Sequence, residues 1–202
     1  MTHYRIHIRL LALALCCLLL PRTGGAHSVA LKTNLLYDAT LSPNLGIETR
    51  LGRKVTGQLV AGINLWDINA DKNRKWRHAL VQPEVRYWLC APFSGHFFGT
   101  HLLYTHYNAG NVHLPFGLWS GLRDHRYQGD LVGVGVAYGY SHILNNRWSI
   151  EGSVGVGYGV TWYRKYDCAT CGSYYGRETR HLFMPTKLSV SVVYYLNRKK
   201  QP

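Results

Sequence analysis

The feature that most constrains this chain is a strict two-residue alternation of side chains along its last third. Between residues 132 and 141 large apolar side chains alternate with small ones, and residues 148–162 and 187–196 repeat the pattern. Successive side chains of a β-strand point to opposite faces, so each segment predicts a strand with one large apolar face and one small or polar face. A helix is excluded because its 3.6-residue period would mix the two sets.

The same test along the whole chain predicts eight strands. They lie near residues 29–38, 44–53, 56–66, 78–90, 95–107, 127–143, 147–163 and 181–196. Most have about the 9–11 residues that a tilted strand needs to cross a bilayer. The second, fourth and sixth connections are short, whereas the third, fifth and seventh are long. That alternation is typical of bacterial outer-membrane barrels, which have short periplasmic turns and longer external loops.

Charged residues decide which face of these strands points outward. The charged residues share one face with two amides, and the whole set comprises Lys32, Asn34, Asp38, Glu48, Arg50, Gln82, Glu84, Arg86, Glu151 and Lys187. A Lys or Arg that faces the middle of a bilayer costs about 2–4 kcal/mol, so the charged face must line the interior. We therefore predict an all-β fold, an eight-stranded antiparallel transmembrane β-barrel. An interior filled in this way leaves no room for a pore.

The N-terminus predicts export. Arg5 and Arg9 precede an apolar run over residues 10–20, and small residues follow up to Ala26. This is the pattern of a cleaved secretory signal peptide. The predicted organisation is a signal peptide over residues 1–26, an outer-membrane barrel domain over 27–197 and a basic C-terminal tail over 198–202. The predicted location is the bacterial outer membrane.

The basic charge of the exported chain indicates its partners. The 202 residues include 23 Lys and Arg against 10 Asp and Glu, and residues 1–26 remove three bases and no acid. An exported chain rarely meets nucleic acid, so we expect outer-membrane lipid as the partner, with a surface-assembly protein as a second possibility. The candidates for contacting lipopolysaccharide phosphates are four loop residues whose guanidinium groups suit phosphate geometry: Arg74, Arg77, Arg177 and Arg180.

Two cysteines stand close together in the last long loop. An exported setting favours a disulfide between Cys168 and Cys171, which would staple that loop. A zinc site, which would need two further ligands, ranks second, and redox catalysis, which would need a thioredoxin-like helix start, ranks last. We therefore predict no metal and no cofactor. Cys90 lies at the other end of its strand and is predicted to be a buried, small apolar residue.

Two strands fit the alternation less well. Pro83 falls inside the fourth strand, where it removes a ladder donor and so predicts a bulge or misplaced strand limits. In the fifth strand large apolar side chains occupy both faces, with Phe97 and Leu103 on one and Phe98 and Leu102 on the other. No clean polarity emerges there.

Five segments carry a family resemblance. They run from Ala30 to Thr40, Ser42 to Glu48, Gln82 to Cys90, Gly95 to Gly99 and Lys165 to Gly172. Together they resemble a family of uncharacterised Bacteroidetes outer-membrane proteins, domain of unknown function 3575. The resemblance covers essentially the whole mature chain and implies a small outer-membrane barrel. It supplies no known catalytic residues.

Two functional classes follow from the residues. The favoured one is a structural or surface-interaction barrel that contacts lipopolysaccharide or a surface-assembly partner. The alternative is an outer-leaflet lipid-modifying enzyme for acyl transfer or hydrolysis, whose candidates would be His101, Tyr104, His106 and His113. Because no Ser-His-Asp spacing or metal motif accompanies them, we assign no catalytic residue.

Overall fold

A computed structural model describes residues 29–65, 67–69, 74–110, 126–166 and 174–196. The predicted signal peptide, the basic tail and the cysteine pair lie outside these residues. The elements are β1 (Val29–Asn34), α1 (Leu35–Ala39), β2 (Asn44–Arg50), β3 (Val55–Asn64), β4 (Asp67–Asn69), β5 (Arg74–Trp88), β6 (Gly95–Gly110), β7 (Arg126–Ile143), β8 (Trp148–Tyr166) and β9 (Tyr174–Tyr195). Among the described residues no helix is long and apolar enough to cross a membrane.

Eight of the strands form a closed ring. Each long strand pairs antiparallel with the next, β3 pairs with β5, and β9 pairs back with β1. The short β4 adds only to one edge of β5. The prediction of an all-β fold with eight antiparallel strands is therefore confirmed. Closing the sheet on itself leaves few unpaired strand edges.

The two ends of the ring differ. The connections at one end, residues 51–54, 89–94 and 144–147, are short, and we call this the turn end. The opposite end, where the other connections lie, is the loop end. The predicted short connections are confirmed. The predicted long connections, 67–77, 108–126 and 164–180, lie partly outside the described residues, and strands extend into both ends of each.

The first predicted strand was too long. β1 ends at Asn34, whose side-chain Oδ1 accepts a hydrogen bond from the backbone N–H of Leu36 at 3.2 Å. Asn34 is thus the N-cap of α1, and the chain turns into a helix instead of continuing to residue 38.

The predicted division into an inner and an outer face is confirmed along the described strands. Val136 and Val154 are 60% and 56% exposed on the outer face, whereas their strand neighbours are buried. Small inner residues let other groups approach closely. A Cβ at Gly135 would lie 2.6 Å from both His101 Nε2 and Thr186 Oγ1, so only glycine fits there.

A bulge in β9 changes which of its residues point inward. Gly155 pairs with Lys187 and Val156 pairs with Pro185, so Thr186 is the extra residue. Because one residue is inserted, the alternation shifts by one position at this point. Even-numbered residues face inward towards the loop end, and odd-numbered residues face inward towards the turn end.

The bulge predicted at Pro83 is absent. Leu59 pairs with Pro83 in unbroken register between β3 and β5. The β5–β6 register is the same on both sides of the proline, so the ladder is merely interrupted there. Pro185 in β9 is the proline that lies beside a bulge.

Aromatic side chains fill the interior at the turn end. Trp88 and Phe97 pack with ring centroids 4.7 Å apart, and Phe93 and Tyr195 meet edge to face at 5.6 Å. The short 89–94 turn folds inward, placing Phe93 at a φ of 66°. Its carbonyl accepts the Tyr195 hydroxyl at 3.2 Å. This aromatic cluster, which we define as these four residues, closes the turn end.

A charge-balanced network fills the middle of the interior. Arg86 Nη1 lies 3.0 Å from Glu48 Oε2 and 2.9 Å from Glu151 Oε1, and its Nε donates to Glu84 Oε1 at 3.0 Å. The two lysines complete it, because Lys32 pairs with Glu48 and Glu151, and Lys187 pairs with Glu84. Three acids thus meet three bases. We call this set the ionic layer.

The ionic layer confirms most of the predicted inward charges. Gln82 is also buried on this face. The prediction was wrong for Asp38 and Arg50, which are exposed. Asp38 belongs to α1, and Arg50 ends β2 at the turn end, where its Nε donates to the carbonyl of Gly52 at 2.9 Å.

Replacing Arg86 by methionine tests the ionic layer. The change leaves three buried carboxylates with only two bases, so the free energy of unfolding should fall by about 3–5 kcal/mol. Urea unfolding of the purified chain measures it. Arg53→Met at the exposed turn end is the control and should change stability by less than about 0.5 kcal/mol. Equal stability of the two variants would contradict a role for Arg86 in neutralising the interior.

Candidate functional site

A cavity of about 500 Å³ occupies the interior at the loop end. Its wall is mainly apolar, with Leu36, Leu80, Leu103, Leu131, Leu182 and Met184 among its lining residues. They come from α1 and from β5, β6, β7 and β9. The inward-facing positions thus carry charged side chains in the middle of the ring and mainly apolar side chains at the loop end. We call this space the upper cavity.

Polar and aromatic residues surround the upper cavity towards the loop end. The hydroxyl groups of Tyr107 and Thr161 lie 2.6 Å apart, and Tyr163 donates to Glu178 Oε2 at 2.6 Å. Arg180, which pairs in register with the inward-facing Thr161, also lines the cavity. The cavity thus combines an apolar body with a cationic group near its loop-end rim.

A smaller and more polar space of about 240 Å³ lies between the upper cavity and the ionic layer. The two spaces share Tyr37, Leu80 and Thr186 as lining residues. Gln82 Nε2 donates to the Thr186 carbonyl at 3.2 Å, and His101 Nε2 lies 2.8 Å from Thr186 Oγ1. We call this space the lower chamber. The bulge residue Thr186 therefore helps to separate an apolar compartment from a polar one.

Helix α1 forms part of the wall of both spaces. Asp38 fastens the helix, since its carboxylate accepts from Thr33 Oγ1 at 2.7 Å and from Asn44 Nδ2 at 2.9 Å. Tyr37 is thereby held inside the ring, where its ring meets that of His78 edge to face at 6.0 Å. Moving the Tyr37 ring from the interior into water would cost free energy. The Asp38 contacts and the Tyr37 ring therefore both hold α1 in place.

Two backbone groups on the β9 edge next to α1 are hydrogen-bonded without a neighbouring strand. β1 pairs with β9 only from Ser191 to Tyr195. Beyond that point the side chain of Asn34 takes over, because its Nδ2 donates to the Leu188 carbonyl and its Oδ1 accepts from the Val190 N–H, both at 3.2 Å. The Asn34 side chain thus replaces the backbone ladder at Leu188 and Val190.

The upper cavity extends to this stretch of β9. Leu36 and Leu188 are 39% and 62% exposed, and both line the cavity. Leu188 lies on the turn-end side of the bulge, where the even-numbered residues of β9 face outward, so the cavity reaches an outward-facing side chain here. This geometry indicates a lateral opening between α1 and β9.

The structure does not place the four predicted phosphate-binding arginines on one surface. Arg77 and Arg180 both line the upper cavity. Arg177 pairs with the exposed Arg164 on the opposite face of β9. Arg74 begins β5, with its side chain outside the described residues. Two of the four arginines are thus brought together around one cavity, and at least one belongs to a different surface.

The structure brings together two of the four candidates for lipid chemistry and separates a third from them. His101 is buried inside the ring, whereas His106 Nδ1 and the Tyr104 hydroxyl both contact Asp130 Oδ1 on the outside, at 2.8 and 2.9 Å. His113 lies outside the described residues. Alternation places positions 101 and 106 on opposite faces of β6.

The remaining predictions on cysteines have different outcomes. Cys168 and Cys171 lie outside the described residues, so their pairing stays a prediction. The prediction of a buried Cys90 was wrong, because this residue is exposed in the 89–94 turn. The described residues contain no group of three or more His, Cys, Asp or Glu that could hold a metal ion.

Sequence reasoning missed α1, and with it Tyr37 and the lateral opening. A signal was present, since asparagine is among the best N-cap residues and Asn34 precedes two leucines. The two-residue alternation of residues 29–38 concealed it. The bulge at Thr186 had a weaker signal in Pro185, which cannot donate to a ladder.

Comparison with known protein families found a match over most of the chain. Residues 10–196 match the family described as protein of unknown function (DUF3575). A search of curated proteins found no match.

Replacing Asn34 by alanine tests how the wall beside the opening is held. The variant loses the N-cap of α1 and both contacts to the β9 edge, so the free energy of unfolding should fall by about 1–2 kcal/mol. Thermal unfolding measures the change. Asn146→Ala, in the exposed turn between β7 and β8, should stay within about 0.5 kcal/mol of the parent. Indistinguishable midpoints would show that the Asn34 contacts do not hold the edge.

Proposed function

The chain belongs to the DUF3575 family, and we propose that this member is an outer-membrane β-barrel that spans the bilayer, conducts no ions and contacts outer-leaflet lipid. The observation that carries the proposal is the contrast between its two faces. Charged groups are enclosed, while large apolar side chains cover the outside. This arrangement is inverted relative to a water-soluble protein.

The outer face carries a continuous set of exposed apolar residues. Examples from successive strands are Ile47, Leu59, Val85, Leu102, Val136, Val154 and Val190, each at least 40% exposed. A water-soluble monomer rarely exposes a contiguous apolar patch larger than a few hundred Å². Hydrocarbon is the environment in which such a surface is stable.

The height of this surface fits a bilayer. On β7 it is bounded by Asp130, which contacts Tyr104 and His106, and by Tyr140, whose ring lies 4.6 Å from that of His96. At about 3.4 Å per residue the two β7 positions are roughly 34 Å apart along the strand. A tilt of about 40° reduces this to roughly 26 Å, close to the height of about 25 Å expected for the apolar band of a transmembrane barrel.

The interior supports a closed barrel in place of a pore. The aromatic cluster fills the turn end, and the ionic layer crosses the middle with its acids and bases paired. An eight-stranded barrel has an interior only wide enough for side chains to fill. Transport of ions or solutes along the axis is therefore not proposed.

Lipopolysaccharide is the proposed partner at the loop end. Arg77, Arg177 and Arg180 are exposed there, and guanidinium groups bind phosphate oxygens well. The lipid-modifying enzyme is not proposed: Tyr104 and His106 meet only at Asp130 on the outer face, and His101 is bonded to Thr186 inside the ring. A protein partner from a surface assembly stays a prediction.

The effect of Val136→Arg distinguishes a membrane-spanning barrel from a soluble one. If Val136 faces hydrocarbon, the change costs about 2–4 kcal/mol and lowers the yield of folded protein in outer-membrane fractions. Heat-modifiable gel mobility of those fractions measures the yield. Leu144→Arg, also exposed but in a turn, should leave it unchanged. Normal assembly of Val136→Arg would contradict the proposal, because a water-facing valine tolerates arginine.

A quadruple variant tests the lipid contact. Neutralising Arg74, Arg77, Arg177 and Arg180 to glutamine should lower the lipopolysaccharide that copurifies with the folded protein, because charge-assisted contacts to phosphate are lost. Quantitative mass spectrometry of the extracted lipid measures it. The control neutralises four exposed bases at the turn end, Arg50, Arg53, Lys54 and Arg147, and should leave retention unchanged. Equal retention in both variants would contradict a loop-end site.

A further inference from the structure

We propose that the upper cavity is a binding site for one long-chain fatty acid, whose hydrocarbon tail enters between α1 and β9 and whose carboxylate is bound by Arg180. The inference rests on the proposed function, because a membrane is what brings a fatty acid to the lateral opening. It goes beyond that function by assigning a ligand class to the interior of the protein.

The volume of the upper cavity fits a single acyl chain. At about 30 Å³ for a water-sized group, a space of about 500 Å³ holds roughly 17 heavy atoms. A saturated chain of about 16 carbons with its carboxylate has a similar number. The size also lies within the range of about 300–1,000 Å³ that is usual for small-ligand pockets.

The lining of the cavity favours a tail over a polar ligand. Leu103 and Leu131 are each only 6% exposed, and Leu182 and Met184 face them from β9. The polar side chains nearby are engaged with one another, as in the pair formed by Tyr107 and Thr161. Buried polar groups that already have partners offer little to a sugar or a peptide.

Charge places the carboxylate near the loop-end rim. In the ionic layer three bases already face three acids, so a further carboxylate placed there would be an excess negative charge. Arg180 lies at the other end of the cavity, and Glu178, the acid two residues away on the same face, accepts the Tyr163 hydroxyl. The ligand is therefore oriented with its carboxylate at the rim and its tail towards Thr186.

The lateral opening gives the tail a route that needs no opening of the strand ladder. Pro185 has no N–H, and the side chain of Asn34 occupies the Leu188 carbonyl and the Val190 N–H. At these positions the edge therefore presents fewer unpaired backbone groups to a passing lipid, and such groups are costly in a bilayer. Leu36 and Leu188 provide an apolar surface on each side of the entrance.

Equilibrium binding of palmitate to the full chain, folded in detergent, tests the inference. The parent should bind one palmitate per chain. Arg180→Gln should weaken palmitate binding by about tenfold or more, because a charge-assisted hydrogen bond is lost, and should leave hexadecanol binding within about twofold. The control Arg164→Gln changes an exposed arginine on the outer face of β8 and should alter neither affinity. A folded parent that shows no saturable palmitate binding would overturn the inference, as would equal losses in the two arginine variants.

Filling the cavity gives an independent test of the tail site. Leu103→Trp should lower binding of both palmitate and hexadecanol by at least about tenfold, whereas Leu102→Trp, on the outer face of the same strand, should lower neither. Heat-modifiable mobility verifies folding, and Leu182→Trp takes the place of Leu103→Trp if the latter does not fold. Unchanged binding in a folded, cavity-filled variant would overturn the site.

The fatty-acid site and the membrane-spanning barrel can be contradicted separately. If Val136→Arg blocks assembly while palmitate does not bind the folded parent, the fatty-acid site is wrong and the membrane-spanning barrel stands. If Val136→Arg assembles normally while palmitate binds in an Arg180-dependent way, the cavity is a ligand site of a protein that does not span the membrane.

Discussion

The interior charge balance is the constraint on which the rest of the structure depends. Arg86 contacts Glu48, Glu84 and Glu151, and the two lysines of the ionic layer neutralise what remains. Several strands must be in register at once for these contacts to form, because the three glutamates come from β2, β5 and β8. Each ion is costly to bury alone and acceptable only when all partners are present. The network therefore favours one closed arrangement of the sheet over its alternatives.

The ionic layer also explains why β6 looked ambiguous in sequence. Its inward residues cross three different environments, since Phe97 joins the aromatic cluster, His101 lies beside the ionic layer and Leu103 lines the upper cavity. An interior with a uniform polar character would have produced a simple alternation. The layered interior instead places large apolar residues on both faces of one strand. Ambiguity in the pattern was thus a consequence of the site itself.

The upper cavity exists because two departures from regular pairing coincide. β1 stops at the N-cap residue Asn34, so α1 replaces the continuation of a strand, and the bulge at Thr186 turns Leu182 and Met184 of β9 inward. Either departure alone would leave a narrower space or a closed wall. Their combination produces an apolar compartment with a lateral opening above a neutral, closed middle.

The sequence by itself determined the eight strands of the ring, the approximate limits of most of them, the short connections at the turn end and most of the inward charges. These follow from local periodicity and from the cost of an unpaired charge, and both can be evaluated from the order of residues. Only the tertiary structure decided that Tyr37 points inside, that Arg77 and Arg180 share a cavity while Arg177 does not, and that β9 shifts its facing residues at Thr186. Those features depend on register between strands far apart in sequence, and a change of one residue in register moves a side chain to the opposite face.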